Sequence, residues 1–179
     1  MHPEMWQTIH RLFLYCDAEA SQSIAPVLRL LQPALPQAEI TLWLAGDAPP
    51  ETWQVPHVLI ASMTALAYPN LIENLQHGEF DAAILFTAPN RSPYAMAYLC
   101  FLAGIAIRVG QSQEFGGGVL THCVKPPLET VSLVDYQLHL LRGLGLTVAD
   151  TPFTPIATSS EKPRSEASVL LFDRSTFAI

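Results

Sequence analysis

The chain is short of charge. Only 14% of its 179 residues are charged, against roughly 25% in an average soluble protein. Lysine is nearly missing, present only as Lys125 and Lys162. Nine Lys plus Arg against sixteen Asp plus Glu leave a formal charge of −7. So acidic a chain gains little of the counterion-release affinity that drives binding to nucleic acid, and an anionic membrane surface repels it. No nucleic-acid partner is expected. Half the residues are hydrophobic, which excludes disorder and a solvated coiled coil. Long apolar runs are also missing. The longest uncharged one, 94–107, has fourteen residues with Gly104 near its end, short of the ~20 a membrane helix needs. No transmembrane segment is expected, and the opening MHPEMWQTIHR has no basic stretch followed by an apolar one, as a secretory leader would. The three cysteines, Cys16, Cys100 and Cys123, show no CxxC or CxxxC spacing. With no leader in view, the expectation is a reducing, cytoplasmic compartment and buried, unpaired thiols.

What is present alternates. RLFLYC (Arg11–Cys16) is a nearly continuous apolar run, as in a strand buried on both faces. After the small polar stretch DAEASQS, Ile24, Val27, Leu28 and Leu31 recur at helical spacing, with Ser21 or Ser23 placed to cap the helix and Pro26 tolerated in its first turn. EITLWLAG alternates as a strand, completing a βαβ unit. The pattern continues with a strand at 57–61, a helix over 68–78 closed by Gly78, a central strand at 80–86, a long helix, and a strand over 105–110. A glycine-rich loop and VLTHCV follow, then a helix with Val131, Val134, Leu138 and Leu141 on one face. Strands alternating with helices predict an α/β fold: a single Rossmann-like, doubly wound, mainly parallel sheet with helices on both faces. That domain is expected over 1–149, a Pro/Ser/Thr-rich linker over 150–167, and a strand-like tail, SVLLFDRSTFAI, over 168–179.

In such sheets the ligand crevice lies beyond the carboxyl ends of the strands, so the chemistry is sought in the loops there. The first loop, 17–23, contains no glycine, and neither GxGxxG nor GxxxxGK[ST] occurs. No nucleotide-type cofactor is expected. Asp17 and Glu19 stand where a carboxylate can act as general base, or can favour the helix N-terminus by charge–dipole attraction. Arg91, and Arg108 at the end of the next strand, are candidate clamps for phosphate or carboxylate, with a surface ion pair as the alternative. Gly116, Gly117 and Gly118 can cradle an anion with backbone amides or form a tight turn. His122 and Cys123 are adjacent and face opposite sides of a strand. With His57, His77 and His139 scattered, no metal site is expected.

Several stretches in order resemble glycosyltransferase family 9, the heptosyltransferase-like enzymes. These are PVLRLL at 26–31 with ALPQAEITL at 34–42, FDAAIL at 80–85, LAGIAIRVG at 102–110, LTH at 120–122 and VDYQLHLL at 134–141. The likeness spans roughly 11–146 and corresponds to the acceptor-side, N-terminal domain of a GT-B architecture. The resemblance implies metal-independent, inverting sugar transfer from a nucleotide-sugar, with a carboxylate base, to a saccharide or lipid-linked acceptor. Two departures stand against it. The family's Gly-Asp in the first loop, whose Asp is the base, falls on Glu19-Ala20, and little of the nucleotide-sugar domain is present. The expected function is therefore a non-catalytic or half-enzyme domain working through a protein partner. The alternative is the acceptor half of a split or truncated transferase, with Asp17 or Glu19 as base and Arg91 or Arg108 near acceptor phosphates. A small nucleotide-binding module is a third possibility. The low surface charge fits a homo-oligomer or a protein partner covering the cleft face, as interface cores are depleted of charge. A Gln/Pro/Thr-rich solvated surface accounts for it equally.

Overall fold

β1 (Arg11–Cys16) sends Leu12, Leu14 and Cys16 to one face and Phe13 and Tyr15 to the other. That strict alternation between two apolar layers is why its sequence reads as one unbroken apolar run. A computed structural model describes residues 3–45, 58–63, 70–129 and 131–146. In it β1 lies inside a six-stranded sheet with β2 (Glu39–Ala45), β3 (Val58–Met63), β4 (Ala82–Phe86), β5 (Ile107–Gln111) and β6 (His122–Val124). The order is β3-β2-β1-β4-β5-β6 and every pairing is parallel. This is the Rossmann-like order of a doubly wound sheet, with its topological switch point between β1 and β4.

Helices cover both faces. Helix α1 (Ile24–Ala34) and α4 (Leu133–Gly143) pack with Trp6 over Leu12, Leu14, Leu42, Ile84 and Val109. On the opposite face α2 (Leu71–His77) and α3 (Tyr94–Leu102) enclose Phe13, Ala83 and Leu85. There Phe13 meets Trp43 edge-on at 5.0 Å and Phe80 at 5.3 Å. Among the described residues no helix is long and apolar enough to cross a membrane.

Several local expectations are corrected. Residue 105 ends α3 rather than starting a strand: Gly104 is left-handed at φ 85° and Ile105 N–H donates back to the Cys100 carbonyl at 3.0 Å. This glycine-dependent helix ending delays β5 to Ile107 and places Arg108 near its beginning, not its end. Gly78 does close α2, its N–H donating to the Asn74 carbonyl at 3.1 Å, but in helical geometry at φ −67°, and Glu79 is the left-handed residue at φ 47°. A Cβ at 78 would lie 2.1 Å from the Phe80 ring, so a larger residue there has to displace that ring. The buried stripe of α4 is Tyr136, Gln137, Leu140 and Leu141, one step round from the stripe read in the sequence. Cys16 and Cys100 are buried but Cys123 is exposed. His57, the linker 150–167 and the tail 168–179 lie outside the described residues.

Two aspartates tie β1 to β4. At the amino ends, Asp81 Oδ2 accepts from the N–H groups of His10 at 2.8 Å and Arg11 at 2.9 Å, and Asp81 N–H donates to the Arg11 carbonyl at 3.0 Å. The Arg11 and His10 N–H groups hold the Asp81 carboxyl below its ordinary range, against an opposing push from burial. A carboxyl whose pKa is lower folded than unfolded contributes its stability above the unfolded value, about 3.9, and loses it as pH falls through the folded value. Asp81→Ala is expected to cost about 1–2 kcal/mol at neutral pH. It should also flatten part of the stability loss between roughly pH 5 and pH 2. Urea midpoints measured across that range for both chains check this; parallel curves would contradict it.

Candidate functional site

The site begins where β1 ends. Asp17 follows Cys16, and its N–H donates to the Phe86 carbonyl at the end of β4 at 3.1 Å. Its carboxylate is committed on both oxygens. Oδ1 accepts from Glu19 N–H at 3.1 Å and Ala20 N–H at 2.7 Å, and Oδ2 accepts from Ala88 N–H at 2.8 Å. Asp17 therefore caps the short 3₁₀ turn Ala20–Ser23 leading into α1 and fastens the loop after β1 to the loop after β4. The serines expected to cap do not, because the Ser21 and Ser23 hydroxyls donate to the carbonyls of Ala18 at 2.7 Å and Ala20 at 3.2 Å.

A cleft of about 280 Å³ opens beside this staple, at the switch point between β1 and β4. Tyr15, Asp17, Glu19, Thr87, Arg91 and Ser92 line it, with Ala95 and Met96 on the wall made by α3. Glu19 and Arg91 are exposed, and neither side chain enters an ion pair among the described residues. Arg91 is positioned by a tight turn. Its N–H donates to the Ala88 carbonyl at 3.1 Å, its carbonyl accepts from the Thr87 hydroxyl at 3.2 Å, and Asn90 is left-handed at φ 65°. The arrangement offers one open carboxylate, one open guanidinium and several hydroxyls around a partly apolar hollow. That mixture suits a polar ligand carrying an anionic group.

Arg108 is not part of this cleft. Its side chain is buried and donates Nε–H to the Val119 carbonyl at 2.7 Å and Nη1–H to the carbonyls of Ile105 and Ala106. Its guanidinium also lies 5.3 Å from the centre of the Phe101 ring. Its place near the start of β5 is the end of the strand away from the crevice. Gly116–Gly117–Gly118 sit on the connection from β5 to β6, outside the cleft lining. Gly117 and Gly118 are left-handed at φ 58° and 81°, and a Cβ on Gly116 would lie 1.7 Å from the Tyr94 ring. Turn geometry and packing account for the three glycines. Of the candidates, the cleft brings together Asp17, Glu19 and Arg91.

Other polar groups nearby carry no signal in the sequence pattern. Ser92, on the cleft wall, donates to Glu114 Oε2 at 2.6 Å, and the Tyr94 hydroxyl donates to the Glu114 carbonyl at 3.0 Å. Behind Thr87, Gln111 is buried with its amide beside the Tyr136 hydroxyl but outside hydrogen-bond geometry. Burial pushes the Tyr136 hydroxyl up, the neighbouring Gln111 amide opposes that, and the Asp17 charge adds a smaller push upward. Burial likewise raises the thiols, Cys16 strongly, with the Asp17 charge adding, and Cys100 to about 12. Among the described residues no group of three His, Cys, Asp or Glu side chains is placed to hold a metal ion.

No protein-family model matches the chain, and no curated protein matches it closely. Its structure does match a solved one, the crystal structure of the glycosyl transferase family 9 from Veillonella parvula DSM 2008. The TM-score is 0.59 at 19% sequence identity, covering 77% of this chain and 42% of that one. The fold is glycosyltransferase family 9-like. The chain spans less than half the length of that structure. In the first loop Ala20 is fully buried. Its carbonyl accepts from the Gln137 side-chain amide at 2.8 Å.

Proposed function

We propose that this chain is an acceptor-side domain of family 9 glycosyltransferase type, which holds a saccharide in the switch-point cleft and works through a protein partner without supplying a catalytic base of its own. The observation that carries the reading is the commitment of Asp17. A general base must turn a lone pair onto the reacting proton, and three backbone N–H groups, two on Oδ1 and one on Oδ2, hold the Asp17 carboxylate in a structural role that leaves one Oδ2 lone pair. The buried alanine at 20 offers no replacement. The nucleotide-sugar, on this reading, is presented by a second lobe in the same or another polypeptide. Large apolar side chains left in water support a partner. They are Tyr98, Phe101 and Leu102 on the outer face of α3, and Phe115 and Leu128 elsewhere.

A second reading rests on Glu19, an open carboxylate in the cleft opposite an open guanidinium. On that reading the chain is half of an active transferase with Glu19 as base. Sugar transfer assayed with the purified chain, alone and with a nucleotide-sugar lobe added, separates the two. The first reading expects no transfer in either mixture, together with stabilisation by a sugar phosphate that Arg91→Met abolishes. A ligand at a hundred times its Kd adds about 2.7 kcal/mol to the native state, easily read as a rise in Tm. Transfer with the lobe present that disappears in Glu19→Gln establishes the second reading instead.

A further inference from the structure

Helix α3 is apolar all round. Met96, Ala97 and Cys100 face the sheet, while Ala95, Tyr98, Phe101 and Leu102 face water. A helix of that composition belongs inside a protein, yet among the described residues its outer face has no cover. The other three helices each carry charge on the exposed side: Arg29 on α1, Glu73 on α2, and Asp135 and Arg142 on α4. On α3 there is none, and no charged residue occurs anywhere in 92–107. The exposed rings are also held in place. The Arg108 guanidinium, fixed by the carbonyls of Ile105, Ala106 and Val119, lies 5.3 Å from the centre of the Phe101 ring. Tyr98 in turn stacks on Phe101 with ring centres 6.3 Å apart. Rings ordered beforehand lose little freedom when a partner covers them, and aromatic side chains are enriched among the anchors of protein interfaces.

We propose that the outer face of α3 is the contact between two copies of this chain, helix against helix about a two-fold axis. The inference rests on the partner half of the reading above and names that partner; the cleft and its ligand do not enter. Charge picks out the occupant. At a formal charge of −7, two copies repel over most approaches. A two-fold contact also sets like charges against each other wherever the patch carries them near the axis. The uncharged face of α3 avoids both costs. Its outer row also reads alike in either direction, with small Ala95, bulky Tyr98, bulky Phe101 and Leu102, then small Gly104. An antiparallel crossing centred near residue 100 therefore sets Tyr98 of each copy beside Phe101 and Leu102 of the other. The small residues fall at the ends, where crossing helices diverge. The three large side chains supply an apolar centre of only roughly 250 Å² per copy. The adjoining helix α2, with Gln76 and His77 exposed, adds a polar rim. So small a centre predicts a dimer that dissociates on dilution in the micromolar range.

The test is analytical ultracentrifugation of the full chain over a dilution series. The expected mass is twice 19.6 kDa at high concentration, falling to 19.6 kDa on dilution. Tyr98→Lys and Leu102→Glu are each expected to weaken self-association at least roughly tenfold, with the circular-dichroism spectrum unchanged. Mixing the two variants is expected to restore a dimer. The new positive and negative charges then face each other across the crossing, and the other half of the contact keeps its native side chains. If a charged variant fails to fold, Tyr98→Ser and Leu102→Ser are expected to weaken the dimer in the same way. A full chain that keeps the monomer mass up to its solubility limit overturns the contact. So does a dimer that these substitutions leave intact, and so does a mixture of the two charged variants that stays monomeric. A monomer that instead floats with phosphatidylcholine vesicles assigns the face to lipid and also overturns it. Each of these failures leaves the saccharide reading to its own assays, because Tyr98 and Leu102 lie outside the cleft lining.

Discussion

Asp17→Ala is expected to lower the stability of the protein by about 3 kcal/mol, because hydrogen bonds to a charged acceptor are worth about 1.5–3 kcal/mol each when buried and less where water reaches them. In a chain of this size that corresponds to a fall in Tm of roughly 6–12 °C. Three backbone N–H groups, from Glu19, Ala20 and Ala88, lose their acceptor at once. The loops after the two central strands, β1 and β4, lose their side-chain fastening. Asp17→Asn should fall between, since its one carbonyl oxygen can satisfy one side while its NH₂ group is turned toward donors. Glu19→Gln, on an exposed side chain, should move the Tm by less than about 1 °C. Thermal unfolding followed by circular dichroism reads all three. An Asp17→Ala protein as stable as wild type would free that carboxylate for chemistry and remove the main support for a non-catalytic domain.

The same residue shows how much the sequence carries and where it stops. An aspartate directly after a buried strand and before a helix was legible as either base or dipole partner. Choosing between them requires the third donor, Ala88 N–H, which lies in the loop after β4, 71 residues away in the chain. The strands themselves were legible because β1 and β4 are apolar on both faces. The sheet order is not written in any one segment; it follows from how crossovers of one hand stack. Helix α4 illustrates a different limit. Gln137 lies in its buried stripe because its amide reaches the Ala20 carbonyl, and hydropathy assigns a glutamine to the surface. The cleft was half legible. Asp17, Glu19 and Arg91 were placed by the rule about carboxyl ends, whereas Tyr15, Thr87 and Ser92 look like ordinary strand and turn residues until the two loops face each other.

The two aspartates also brace the base of the cleft. Asp81 fastens the amino ends of β1 and β4 and Asp17 their carboxyl ends, so the strand pair that flanks the switch point is clamped at both extremities. A doubly wound sheet opens its crevice where neighbouring crossovers depart to opposite faces. That departure removes covering helix from the strand ends and leaves loops to hold the gap. Side chains that bond across it replace the missing cover.

Arg108→Met should cost about as much as Asp17→Ala, roughly 3 kcal/mol, and for a reason the sequence concealed. The run IAIRVG invites a strand beginning at 105, which would carry Arg108 toward the crevice. The helix ending at Gly104 uses residue 105 instead, and the guanidinium falls among the carbonyls of Ile105, Ala106 and Val119. Its backbone is tied to Thr121 as well, through N–H to Oγ1 at 2.8 Å and through its carbonyl from Thr121 N–H at 2.9 Å. Methionine keeps the packing against Phe101 but offers no donor, leaving carbonyls in a buried site without partners at about 1–3 kcal/mol for each one that water cannot reach. Lysine should rescue little of the loss. Its ammonium is a point charge on a flexible stem, whereas the guanidinium presents donors in a fixed planar fork that serves several carbonyls together. Because Arg108 lies away from the cleft, the variant should bind a sugar phosphate with wild-type affinity at temperatures where it is folded. Arg91→Met should do the reverse, losing the ligand and keeping the Tm. If Arg108→Met abolished binding with no change in Tm, the clamp would belong to Arg108 and the cleft would be misassigned.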